Sequence, residues 1–237
     1  MKRIFLALSF IIIAQSASAQ LFSEDKILNN ENIDKQKWSW GYFLGFNSYD
    51  FNFDYKDDLE DIQNTKTLGF NVGLIGNMRI NEFLDLRLEP GLFITKRDLN
   101  FHESYFNGLS YNDSDLLREV RSTYIHIPLL LKFSTKRLNN FKPFIVGGFS
   151  AALNLSSNQD NPDDNSNGQF RTKSSMVFYE LGAGIDLFFP WFKFTPSIRG
   201  VFAFNDELIK DTDPNSPWTG NIVRMKTRGL FINFTFQ

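Results

Sequence analysis

Two histidines are the first residues to weigh for chemistry. His126 lies four residues after Ser122 and two after Tyr124. A hydrolytic site needs a nucleophile, a histidine base and a third group that orients the base. Neighbours two apart on one extended strand make no such triad. His126 therefore reads as a satisfied interior histidine and His102 as a loop residue. No catalytic residue, no enzyme activity and no cofactor are expected.

Asp163, Asn165, Asn167 and Gly168 follow the first half of a calcium loop, D-x-[DN]-x-[DN]-G. Such loops close with a bidentate Glu at the twelfth position, where this chain has Ser174. Pro162, Asp163 and Gly168 are also ordinary turn formers, so the segment is a weak calcium candidate beside a turn reading. In Asp213-Pro214-Asn215-Ser216-Pro217-Trp218 two prolines limit flexibility. A Trp on such a loop either anchors a protein partner or rests at a membrane interface.

The largest constellation is ionic: Arg79, Asp85, Arg87, Glu89, Lys132, Glu180, Asp186 and Arg199. Each stands in a stretch where polar and apolar residues alternate, the period of a strand with two different faces. Leu84, Leu86, Leu88, Leu92 and Ile94 alternate with Asp85, Arg87, Glu89, Gly91 and Thr95. Ile125, Ile127, Leu129, Leu131 and Phe133 alternate with Tyr124, His126, Pro128 and Lys132. The same holds around Glu180 and Asp186, around Arg199, and along 229–236. The apolar faces are continuous while the other faces carry the charges, which is an inside-out arrangement.

Trp38, Trp40, Tyr42, Leu44 and Phe46 share one phase, and Tyr49, Phe51, Phe53 and Tyr55 the other. That slip predicts a β-bulge near Asn47-Ser48. The segment 142–155 has the weakest phase, because of Gly147-Gly148. A tight turn at 189–192 predicts that even residues of one strand oppose odd residues of the next. Across 81–83 the same argument sets Arg79 opposite Asp85 on the barrel floor.

Short connections at 80–83, 134–141 and 189–192 alternate with long polar ones at 56–65, 98–117, 156–173 and 205–225. That is the habit of transmembrane barrels. Beyond residue 20 no apolar run reaches the roughly 20 residues of a membrane helix. A span must then be a closed barrel, since lipid offers the backbone no hydrogen-bond partner. The 27 Phe and 16% aromatic content suit strands and aromatic girdles.

The expected fold is all-β: a transmembrane antiparallel up-and-down β-barrel of about eight strands. Residues 1–19 read as a cleaved signal peptide, with a basic start, an apolar run and Ala17-Ser18-Ala19. Residues 20–37 read as a periplasmic lead and 38–237 as the barrel, with both termini periplasmic. A net charge of −2 argues against nucleic acid as a partner. An eight-stranded barrel is just wide enough for side chains to fill. The inward charges then form a paired polar core, with a proton path or narrow ion conduit as the other reading.

Tyr124-Ile125-His126-Ile127-Pro128-Leu129-Leu130-Leu131-Lys132-Phe133 is similar to the Y-x-x-I-P-L-L-L-K strand of the PorT-like outer-membrane barrels of the Bacteroidetes. Leu181-Gly182-Ala183-Gly184-Ile185-Asp186 resembles a later strand of that family. The segments 40–47, 196–202 and Asn205-Asp206-Glu207-Leu208 resemble the members that serve type IX protein secretion and gliding motility. The resemblance implies an accessory role in export, with outer-membrane lipid and other secretion-system proteins as partners. The alternative is a small passive barrel, either a narrow conduit or an envelope-stabilising protein.

Overall fold

The computed structural model describes residues 28–161 and 170–237. The signal-peptide segment, the lead before residue 28, and the calcium candidates Asp163, Asn165 and Asn167 lie outside the described residues.

Among the described residues ten strand segments follow in chain order: β1 (Trp38–Tyr55), β2 (Gln63–Lys66), β3 (Leu68–Arg79), β4 (Leu84–Leu88), β5 (Gly91–Asn100), β6 (Leu117–Ser134), β7 (Phe141–Asn154), β8 (Ser175–Phe188), β9 (Lys193–Ala203) and β10 (Ile222–Phe236). All pairings are antiparallel, and β1 closes the sheet by pairing with both β10 and β3. The ten segments make eight ring strands. Pro90 has no N–H to give to a ladder and separates β4 from β5. The register runs on regardless: Leu88 pairs with Leu129 and Gly91 with His126, three residues further along both strands. β2 is the upper end of the β3 strand, displaced by one residue. Four steps separate Lys66 from Phe70, and three separate their β5 partners Arg97 and Ile94.

The alternation read from sequence decides the two faces. Leu88, Leu92, Ile94, Ile127, Leu129 and Leu181 point outward and are exposed, while Arg87, Glu89, Lys132, Glu180 and Arg199 point inward and are buried. β7 keeps a clean phase through Gly147-Gly148, with Lys142, Phe144, Val146, Ser150 and Ala152 inside. Even residues of β8 meet odd residues of β9, as in Gly182 against Arg199. Short turns at 80–83, 135–140 and 189–192 gather with Trp38 and Phe236 at one end, and the long connections gather at the other.

The bulge expected near Asn47-Ser48 is corrected by the register. β1 pairs with β10 without interruption from Tyr42 with Phe236 to Asp54 with Arg224. The surroundings change and the strand does not. A tilted strand needs about 9–11 residues to cross a bilayer, and β1 has 18. Above Phe46 its outward residues are Ser48, Asp50, Asn52 and Asp54, and its inward ones Tyr49, Phe51, Phe53 and Tyr55. β10 does the same, with Arg224 and Arg228 exposed outside and Met225 and Thr227 buried inside. The upper barrel wall therefore stands clear of the apolar band, polar outside and apolar within.

At the other end, residues 28–37 cross the mouth of the barrel. The Asn29 N–H donates to Asn140 Oδ1 at 2.9 Å, its side-chain amide donates to the Phe188 carbonyl at 3.2 Å, and Arg137 donates to the Asn29 carbonyl. β7, which Asn140 precedes, stands four ring strands from β1, so the segment spans the full opening.

Candidate functional site: the filled lumen and its loop cap

The lower lumen holds a chain of ion pairs. Arg87 meets Glu89 at 2.8 Å, and Arg199 meets Glu89 at 2.8 Å and Glu180 at 2.9 Å. Glu180 in turn lies 2.6 Å from His126 Nε2, with both side chains fully buried. Beside this chain, Lys132 meets Asp186 at 2.5 Å, and the Thr195 hydroxyl donates to the same carboxylate at 2.8 Å. β4, β6, β8 and β9 all contribute, so the charges tie opposite walls together. An ionised group taken from water costs several kcal/mol unless paired, and these groups pair across the lumen.

Aromatic rings fill the next level. Phe93, Phe178 and Phe231 pack round His126 with centroids 4.9, 5.7 and 5.9 Å from its ring. Tyr49 continues the stack between Phe231 and Tyr124. A second polar level follows. Arg97, fully buried, donates to Ser122 at 2.7 Å, Tyr124 at 3.1 Å and Thr227 at 3.2 Å, and its guanidinium lies 3.9 Å from the Phe51 ring centre. The Tyr124 hydroxyl donates to Glu207 at 2.8 Å and the Thr227 hydroxyl to the same carboxylate. Glu207 belongs to the β9–β10 connection, not to a strand. Its backbone is pinned at both polar atoms, by the Met225 carbonyl and the Lys173 N–H, each at 2.9 Å.

Above that level every long connection sends an apolar side chain into one cluster. Ile62, Phe101, Phe106, Phe170 and Leu208 pack there with Phe51, Leu99, Ile222 and Met225 of the upper strands. The Tyr105 hydroxyl donates to the Glu60 carbonyl at 2.9 Å, and burial pushes its pKa up, which keeps it a neutral donor. The barrel is thus closed at its long-loop end by a folded cap with its own core.

Of the interior ionic set expected from sequence, all but Arg79 and Asp85 are joined in buried ion pairs. Arg79 and Asp85 are opposite in register but only half-buried, and Arg79 donates to the Asn81 carbonyl at 3.2 Å. At the mouth, water competes for such a pair. Ser122 and Tyr124 do not serve His126, since both bind Arg97. His102 caps a single-turn helix by accepting from the Ser104 N–H. Trp218, on its stiff loop the candidate for a partner anchor or for a membrane-interface residue, turns into the cap. It is half-buried in the cap, donating from Nε1 to the Asp115 carbonyl at 3.0 Å, under Arg118 at 4.4 Å and edge-on to Phe106 at 5.7 Å. Arg97 and Glu207 were missed. Arg97 continues the inward phase of Phe93 and Thr95, a signal present in the sequence, whereas Glu207 enters from a loop and leaves no periodic trace.

Among the described residues no helix is long and apolar enough to cross a membrane. No curated protein matches the chain. Among solved structures, the fold is similar to the outer membrane protein OprG from Pseudomonas aeruginosa, at 15% identity over 83% of this chain and 94% of that one, with a TM-score of 0.48. It is also similar to Neisserial surface protein A, at 10% identity over 84% and 98%, with a TM-score of 0.43. The N-terminal β-barrel domain of Pseudomonas aeruginosa OprF matches at 11% identity over 83% and 96%, with a TM-score of 0.38. Residues 14–208 match the outer membrane protein beta-barrel domain family. The chain belongs to that family and is a small β-barrel of the outer membrane.

Proposed function

We propose that this barrel is a component of the type IX protein secretion machinery, closest in kind to PorT (SprT in gliding bacteria), and that it acts through protein contacts and not by catalysis. The observation that carries the reading is the filled lumen: ion pairs, aromatic rings and the loop cap occupy the path that a transported molecule would need. The same filling counts against a narrow conduit. What is left to work with is surface. At the short-turn end this comprises residues 28–37 and the turn 189–192, where Trp191 is 91% exposed. In this reading that end faces the periplasm, where secretion partners are met, and the long-loop end faces outward. The resemblance of the strand at Tyr124–Phe133 and of Asn205-Asp206-Glu207-Leu208 supplies the machinery.

Deletion of the gene followed by comparison of secreted proteins is the test. A defined set should stay inside the cell and gliding should stop, with antibiotic sensitivity unchanged. An unchanged set of secreted proteins removes the secretion reading. A rise in antibiotic sensitivity alone gives the envelope-stabilising role instead.

A further inference from the structure

The outer wall of β10 carries Arg224, Lys226 and Arg228 at alternate positions, all pointing away from the lumen just above the lipid-facing Leu230. The facing strand β1 answers them unevenly. Asp50 meets Arg228 at 2.8 Å and Lys66 at 2.9 Å, and Asp54 meets Arg224 at 3.5 Å. Lys226 is paired in register with Asn52 and makes no ion pair among the described residues. Four cations thus share two carboxylates, on a chain whose net charge is −2. Asp50 is 11% exposed while Lys66 and Arg228 are 50% and 52% exposed, so it orients both cations without covering them. Between them opens a recess of about 290 Å³, lined by Ser48, Asp50, Lys66, Arg228, Phe202 and Leu230 among others. Its floor is the top of the apolar band.

From this we infer that the β10 stripe binds the phosphorylated headgroup of a glycolipid in the outer leaflet, with an acyl chain lying along Phe202, Leu230 and Ile232. Cations that begin where the lipid-facing residues end are placed for a headgroup anchored by its own chains. The stripe from Arg224 to Arg228 runs about 14 Å along the strand, which suits a headgroup with two separated anionic groups better than a single phosphodiester. The belt on the neighbouring wall makes the contrast. There Lys96 and Arg121 are matched by Asp98 and Glu119, and no charge is left over for a ligand. The assignment to the outer leaflet rests on the outward orientation of the long loops proposed above.

The test is native mass spectrometry of the folded barrel in detergent, titrated with a bis-phosphorylated disaccharide lipid. The wild-type protein should retain one lipid. Lys226→Gln/Arg228→Gln should weaken retention at least tenfold, and Lys226→Gln alone, which leaves both Asp50 bridges intact, about threefold. Removing the lipid's phosphates should abolish retention, and Lys96→Gln/Arg121→Gln should keep it within twofold. Equal retention by the stripe variants overturns the inference, as does equal retention of phosphatidylglycerol or displacement of the lipid by millimolar inorganic phosphate. Orientation is read separately, by labelling Asn215→Cys in intact cells with an impermeant maleimide. Labelling only after lysis overturns the outward reading while leaving the lipid titration standing.

Discussion

Glu207 reaches from the β9–β10 connection into the lumen and accepts the Tyr124 hydroxyl of β6 at 2.8 Å, with neither residue exposed. A loop residue buried this deeply fixes its loop. Glu207→Ala removes the acceptor of two hydroxyls and takes a carboxylate away from the buried Arg97 network. Limited proteolysis should then cut the 204–221 connection at least ten times faster, while the protein should still migrate differently with and without boiling (heat-modifiable migration), as expected of a closed barrel. Glu207→Gln, which still accepts, should lie between the two. If Glu207→Ala is cut no faster than wild type, the cap is held by its apolar cluster alone.

Arg199 carries the lower lumen. Its two carboxylate partners come from β8 and from the Glu89–Pro90 junction, so its loss leaves two buried anions sharing only Arg87 and His126. Arg199→Met should cost about 3–5 kcal/mol, the usual result of breaking a buried pair from one side. Adding Glu89→Gln and Glu180→Gln to Arg199→Met should recover part of that loss. Urea midpoints in detergent micelles give the comparison, and a single variant as stable as wild type contradicts the bridging role.

The change of surroundings along β1 predicts a contrast within one strand. Leu44 and Asn52 both point outward, one in the apolar band and one above it. Leu44→Arg should lower folding stability by about 2–4 kcal/mol, the cost of a cation near the bilayer midplane. Asn52→Arg, a change on the exposed wall above the apolar band, should stay within about 0.5 kcal/mol. Equal losses at both sites would mean that the band reaches higher than Phe46.

This strand also marks the limit of what the sequence disclosed. Strand number, facing, the β8–β9 register and the ionic core were legible because lipid outside and a packed polar lumen inside impose opposite demands on alternate residues. The false bulge arose from the same rule. A one-residue slip and an inversion of surroundings produce the same string, since the period is two. Only the unbroken pairing of β1 with β10 separates them. Trp218 and Glu207 were opaque for another reason. Their contacts reach Asp115 and Tyr124, far along the chain, and loop packing has no period to read.

The segment 28–37 gives the last prediction. Asn29 is fastened to Asn140, Phe188 and Arg137 on the far side of the mouth from the start of β1, so the chain enters the barrel by crossing its floor. The protein has no cysteine of its own, which makes a paired-cysteine test clean. Asn29→Cys/Asn140→Cys should be joined in high yield by a short bis-maleimide, whereas Asn29→Cys/Asn215→Cys, at opposite ends, should not. Arg137→Ala, which removes the donor to the Asn29 carbonyl, should lower that yield severalfold without altering heat-modifiable migration. Failure of the first pair to cross-link would remove the strap. In the secretion reading the strap and the exposed Trp191 form one surface at the short-turn end, so export should continue with the cross-link in place. Export that stops on cross-linking would instead require the strap to leave the mouth when a partner docks.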